Sequence, residues 1–171
     1  MKRLGRALAL LAALQGCPGE APAGDASVDA TPFESVLVQG SDARAQPLGV
    51  STPLRIFLGF QGFRYAQVRL ETRETPPSLA RAVGRLAIEG YDPVEQPIGR
   101  VAFHRVGDLW RSDVLMLFVN DVPLNTITGR GYTLSLDAWD ASRRTRADAR
   151  GVVTHDPSCI AGVASSCEDT P

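Results

Sequence analysis

The segment from Gly131 to Asp140, Gly-Tyr-Thr-Leu-Ser-Leu-Asp-Ala-Trp-Asp, alternates apolar and polar side chains without a break. A period of two places Tyr132, Leu134, Leu136 and Ala138 on one face of a strand and Thr133, Ser135, Asp137 and Trp139 on the other, whereas a helix would scatter both sets around its axis. The pattern recurs in Phe63–Glu71, where Ala66, Val68 and Leu70 oppose Tyr65, Gln67, Arg69 and Glu71. It recurs again in Gly99–Val106, with Val101 and Phe103 against Arg100, Ala102 and His104. Each stretch reads as a strand with one buried and one wet face.

Shorter apolar runs at Glu34–Gln39 and Leu54–Leu58 extend the series, and Thr145–Thr154 reads as the last strand. Val114–Val119 is apolar at every position, which predicts a central strand covered on both sides. Between Ser78 and Glu89 a helix and a strand compete; Leu86, Ile88 and the stop at Gly90 favour a strand from Val83 to Glu89. Turn chemistry separates the runs at Gly40-Ser41-Asp42, at Gly59-Phe60-Gln61-Gly62 and at Asp140-Ala141-Ser142-Arg143. Seven or eight short strands over about 120 residues predict an all-β fold, an antiparallel β-sandwich rather than a barrel, spanning residues 33–156.

The N-terminal segment follows a different logic. Lys2, Arg3 and Arg6 precede the apolar run Ala7–Leu14, the order of an export signal, and the run is too short to span a bilayer. Its end, Leu14-Gln15-Gly16-Cys17, resembles a bacterial lipobox, although Gln15 is bulkier and more polar than the small residue usual there. The resemblance implies cleavage after residue 16 and a diacylglyceryl thioether on Cys17, and so a membrane held through an N-terminal lipid anchor. The alternative is an ordinary signal peptide with a chance cysteine at its end. Residues 17–32, rich in Pro, Ala and acidic side chains with one branched aliphatic, are expected to be a disordered tether. Removing residues 1–16 leaves 155 residues, with 15 arginines against 19 carboxylates and a formal charge of −4. That balance points away from a nucleic-acid partner. Lys2 is the only lysine, which excludes a lysine nucleophile or Schiff base.

Beyond the lipobox, the segment Gly131–Asp140 resembles the penultimate strand of immunoglobulin-like bacterial modules, including the PKD and fibronectin type III groups. There a tyrosine early in the strand is followed by alternating apolar residues and an aspartate at the final hairpin. The resemblance implies an immunoglobulin-like sandwich in which Tyr132 is a tyrosine corner, its hydroxyl satisfying a buried backbone group. The order of lipobox, acidic tether and arginine-ended strands is similar to that of uncharacterised lipoproteins of Gram-negative bacteria, which implies an outer-membrane or periplasm-facing location and no particular activity.

Chemistry-bearing residues are sparse. With Cys17 assigned to lipid, Cys159 and Cys167 remain as a pair in the tail, residues 157–171, where a disulfide in an oxidising envelope competes with free thiols or a metal site near His155. A disulfide there would contribute roughly 2 to 3 kcal/mol. His104 and His155 are the only imidazoles, both expected to be solvated, and no nucleophile elbow, phosphate loop or zinc motif occurs. No cofactor or metal is therefore expected, although Asp137, Asp140 and Asp148 lie near one hairpin as a conceivable calcium set. Asp140 reads more simply as the turn residue capping local amides. Arg143-Arg144-Thr145-Arg146 reads as a solvated hairpin tip, with contact to anionic glycan or lipid headgroups as the minor alternative. Tyr65, Trp110 and Trp139 are the aromatics placed outside the core, and Tyr65 and Trp139 form the candidate binding surface. The expected function is that of a lipid-anchored, non-catalytic binding or assembly module of the cell envelope, with an envelope protein or glycan as partner. The alternatives are a carbohydrate-binding module with coplanar exposed aromatics and an envelope hydrolase, or its accessory subunit, with converging carboxylates.

Overall fold

In a computed structural model the described residues are 30–59, 61–76, 78–119, 122–155 and 160–161. Cys17, Cys159 and Cys167, with the lipidation and disulfide expectations attached to them, lie outside these residues. Among them there is no α-helix, only a one-turn 3-10 segment at Leu124–Thr126, and the chain is all-β. The strands are β1 Thr31–Pro32, β2 Val36–Gln39, β3 Gln46–Pro47, β4 Leu54–Gly59, β5 Arg64–Thr72, β6 Arg81–Ile88, β7 Val94–Ile98, β8 Phe103–Val106, β9 Leu109–Ser112, β10 Leu115–Phe118, β11 Gly131–Trp139, β12 Arg143–Thr154 and β13 Ile160–Ala161.

Hydrogen bonds link these strands into one mixed sheet whose main path, β3-β2-β5-β4-β12-β11-β6-β7, runs between two edges and does not close. One part is the antiparallel series β12-β11-β6-β7. The other is organised around β5, which carries β4 and β10 along its first half and β2 and β9 along its second. The core unites both parts: Leu54, Ile56, Val68, Leu70, Leu86, Leu117, Leu134 and Leu136 are all essentially inaccessible. Each such side chain contributes about 1.5 to 3 kcal/mol relative to exposure.

The expected alternation holds in β11, where Tyr132, Leu134, Leu136 and Ala138 are buried, and in β5, where Ala66, Val68 and Leu70 are. Residues 81–88 form a strand, in line with the reading of Val83–Glu89. The turn at Gly59–Gly62 closes through Gly59 N–H to Phe63 O at 2.7 Å, with Gly62 at φ 84°, a conformation glycine adopts without strain.

Four expectations fail. The sheet is not purely antiparallel, because β1 and β4 both run parallel to β12 and β13 runs parallel to β4. The edge of β12 away from β11 is taken by β1 at its start and β4 at its end, and side-chain periodicity carries no information about pairing direction. Second, the described residues form thirteen strands where seven or eight are expected, several of them only two to four residues long. β7 carries no strand pattern because Glu95, Gln96 and Pro97 interrupt its apolar residues, which an edge strand tolerates. Third, β10 is not covered on both faces: Leu115 and Leu117 point inward while Met116 and Phe118 are 44% and 39% exposed. Fourth, Tyr132 is buried, but its hydroxyl has no hydrogen-bond partner among the described residues, so it does not make the tyrosine-corner bond. Its ring instead lies against Gly151, its cross-strand neighbour, where a Cβ would come 3.2 Å from Tyr132 Cε1.

Candidate functional site

Tyr65 sits on the outer face of β5 in a row of aromatic rings. It pairs across strands with Phe57 of β4 and Phe118 of β10, at centroid distances of 6.0 Å to each, and Phe63 meets Phe118 edge-on at 6.1 Å. Phe63 is 47% exposed, and Met116 and Val114 extend the apolar surface along β10. The sequence marks only half of this patch: it places Tyr65 outside the core, whereas the unbroken apolar run predicts a covered strand for Met116 and Phe118. An apolar run has the same composition whether its second face meets another layer or a partner.

Farther along the same face lies a polar cluster built on Arg111. Although it is 95% shielded, Arg111 is fully engaged: Nε and Nη2 donate to Glu71 Oε2, and Nη1 donates to the Asp42 carbonyl at 2.8 Å and to Asp42 Oδ1 at 3.3 Å. Asp42 also receives Arg69 Nη1 at 2.6 Å and lies 3.1 Å from His104 Nε2. Partial burial pushes the Asp42 carboxyl up, but hydrogen bonds from His104 and Arg111 and the charge of Arg69 outweigh it and hold the carboxyl below its ordinary range. Nothing in the sequence pattern marks this cluster, because its members come from four separate segments.

Trp139 lies elsewhere. At the far end of β5, a groove of about 970 Å³ opens between the β1–β2 connection, the exit of β5 and the β11–β12 hairpin. Half-buried Trp139 forms one wall and Leu109 another, with Phe33 and Thr145 beneath. Across the sheet, Trp139 is flanked in register by Arg81 of β6 and Arg144 of β12. Four carboxylates reach the groove, and three are matched by arginines: Glu71 by Arg111, Glu74 by Arg143, and Asp137 by Arg85 and Arg146. Glu34, Arg73 and Arg144 also line it, and among the described residues their charged groups have no partner. Tyr65 and Trp139 are therefore not one surface. Seven residue steps along β5 lead from Tyr65 to Thr72 at the groove, roughly 23 Å of extended chain.

The remaining candidates resolve locally. Asp140 Oδ1 accepts from Ser142 N and Arg143 N, both at 2.7 Å, and these amides hold its carboxyl below the usual range, as the turn reading predicts. Asp137 and Asp148 share Arg146 rather than facing a cation site, and no cluster of three or more His, Cys, Asp or Glu ligands occurs among the described residues. His155 is not simply solvated: its Nδ1 donates to the Ile56 carbonyl at 2.9 Å. His104 is tied to Asp42. The tetrad Arg143–Arg146 is not a free tip either, since Arg143 lies over the Phe33 ring at 5.1 Å, Thr145 is buried, and among the described residues only the exposed Arg144 of the tetrad's arginines has no charge partner. Trp110, half-buried in β9, joins neither surface. No helix among the described residues is long and apolar enough to cross a membrane. Compared with protein-family models, curated proteins and solved structures, the chain matches none.

Proposed function

We propose that this chain is a lipid-anchored, non-catalytic binding or assembly module of the cell envelope, facing the periplasm or lying on the outer membrane, built on an immunoglobulin-like β-sandwich. Support for the sandwich comes from the two-part sheet, with β12-β11-β6-β7 on one side of the core and β4-β5-β10 on the other. The observation that carries the binding reading is the row of exposed Phe63, Phe118 and Met116 gathered around half-buried Tyr65. Large apolar side chains gathered in one exposed patch are costly in water and mark a surface that a partner covers. The anchor rests on the Cys17 lipobox resemblance. Against a hydrolase stands the pairing of Glu71, Glu74 and Asp137 with arginines, which leaves Glu34 as the one unpaired carboxylate among the described residues of the groove.

The test is capture from cross-linked envelope fractions with the native chain, Cys17→Ala and Tyr65→Ser/Phe118→Ser, together with metabolic labelling by a fatty-acid analogue. The native chain should incorporate label at Cys17 and enrich a partner that the double variant loses while remaining folded. Equal recovery by native and double variant would overturn the surface, and absence of label would overturn the anchor. A second reading, carbohydrate binding, is favoured by Trp139 in the end groove.

A further inference from the structure

We infer that the groove beside Trp139 binds an acidic saccharide, a sugar ring bearing a carboxylate. The inference rests on the carbohydrate-binding reading of Trp139 and names its ligand class; it does not depend on the Tyr65 row, which lies outside the groove. Volume is the first consideration: about 970 Å³ suits two or three sugar rings rather than a single ion. The second is the wall. Trp139 is half-buried, its backbone held by the ladder on both sides, and it borders the groove, where an indole supplies a rigid aromatic surface for stacking on the C–H face of a pyranose ring.

Charge selects the class of sugar. Of the charged side chains bordering the groove, Glu71, Glu74, Asp137 and Arg146 are spent on neighbours inside the fold. What remains is Arg73 on one bank, Arg144 on the other and the single carboxylate of Glu34. Arg144 stands directly opposite Trp139 in the β11–β12 register, on the same face of the sheet. A ring stacked on the indole thus carries its substituents toward a guanidinium. A planar guanidinium pairs with a carboxylate through two parallel hydrogen bonds, which neutral sugar hydroxyls cannot reproduce with the same strength. An unpaired arginine on each bank also gives an extended acidic chain a second point of attachment.

The test uses the full-length chain in detergent. Trp110→Phe leaves Trp139 as the only indole, and its emission is followed during titration with tri-galacturonate, with the methyl ester of the same trisaccharide, and with citrate. Calorimetry on the unsubstituted chain provides the same ranking without the Trp110 replacement. Tri-galacturonate should bind saturably, with the ester and citrate at least tenfold weaker, as expected when charge-assisted bonds are removed or the ring is absent. Exposed Arg73→Gln and Arg144→Gln should each weaken binding roughly tenfold, and Arg150→Gln, outside the groove, should not. Equal affinity for the ester, equal affinity for citrate, indifference to both groove substitutions, or no saturable response at millimolar ligand would each overturn the assignment. Because Tyr65 and Phe118 lie outside the groove, Tyr65→Ser/Phe118→Ser should leave the titration unchanged, which separates this outcome from that of the partner surface.

Discussion

Leu117 of β10 packs its Cδ2 methyl onto the bare backbone of Gly84 in β6, so closely that no side chain fits between them. A Cβ built at Gly84 would overlap that methyl and come within 3.2 Å of Ile98 Cδ1. Leu117 is wholly buried and has nowhere to retreat. Gly84→Ala should therefore destabilise the fold by about 1 to 3 kcal/mol through overpacking. Chemical denaturation checks this, and adding Leu117→Val should recover part of the loss because the two sites are in contact.

Arg111 and Glu71 form an ion pair in which the arginine is almost completely shielded. Glu71→Leu leaves the shielded guanidinium with only its Asp42 contacts, so it should cost about 2 to 3 kcal/mol, less than the full penalty of an unpaired buried charge, while Arg111→Leu/Glu71→Leu should cost less than the sum. A double-mutant cycle by urea unfolding provides the measurement.

Asp42 and Asp140 both have carboxyls held below their ordinary value of 3.8 in the folded chain. Their ionised forms favour folding, so their contribution is present above that value and is lost as the pH falls through the depressed folded pKa. Stability of the native chain should drop below pH 3.8 more steeply than that of Asp42→Asn/Asp140→Asn, and melting curves across that range test it. Asp42 is 46% exposed, so solvent screening keeps its share small.

Burial pushes the Tyr132 hydroxyl up to about 12, from the ordinary 10.0. The folded state keeps its proton where the unfolded chain releases it, so stability should be level below pH 10.0 and fall as the pH climbs toward 12. Tyr132→Phe should abolish that slope. At neutral pH it should be neutral or slightly stabilising, because it deletes a buried hydroxyl that lacks a partner.

Gln96 closes an edge that would otherwise be open. Its Nε2 donates to Met116 O at 2.6 Å and its Oε1 accepts from Phe118 N at 3.0 Å, as a neighbouring strand would do for β10. Gln96→Ala should accelerate hydrogen exchange at the Phe118 amide and raise the tendency to associate through β10, readable by exchange mass spectrometry and light scattering.

Which parts of this arrangement the sequence discloses follows from what a one-dimensional pattern can encode. Burial alternation is written residue by residue, so the inward sets of β5 and β11, the strand at 81–88, the glycine turn and the Asp140 cap were all legible. Pairing is not. The parallel alignment of Thr31–Pro32 with Arg143–Arg144 depends on segments more than a hundred positions apart, and β7, with Glu95, Gln96 and Pro97 between Val94 and Ile98, has no local signature. The site was legible as single residues only: Tyr65 and Trp139 were identified, but their separation by most of the length of β5, the exposure of Phe118 and Met116, and the pairing of the groove carboxylates with arginines are properties of the assembled chain.

The two-residue pairing of β1 with β12 also ties the rim of the groove to the start of the described chain. Pro32 borders the groove and stands in register with Arg144, whereas Tyr65 lies toward the other end of β5. The doorway of the groove is thus framed by a strand held on one side only: whatever displaces Thr31 and Pro32 remodels the bank on which Arg144 stands and leaves the aromatic row as it was.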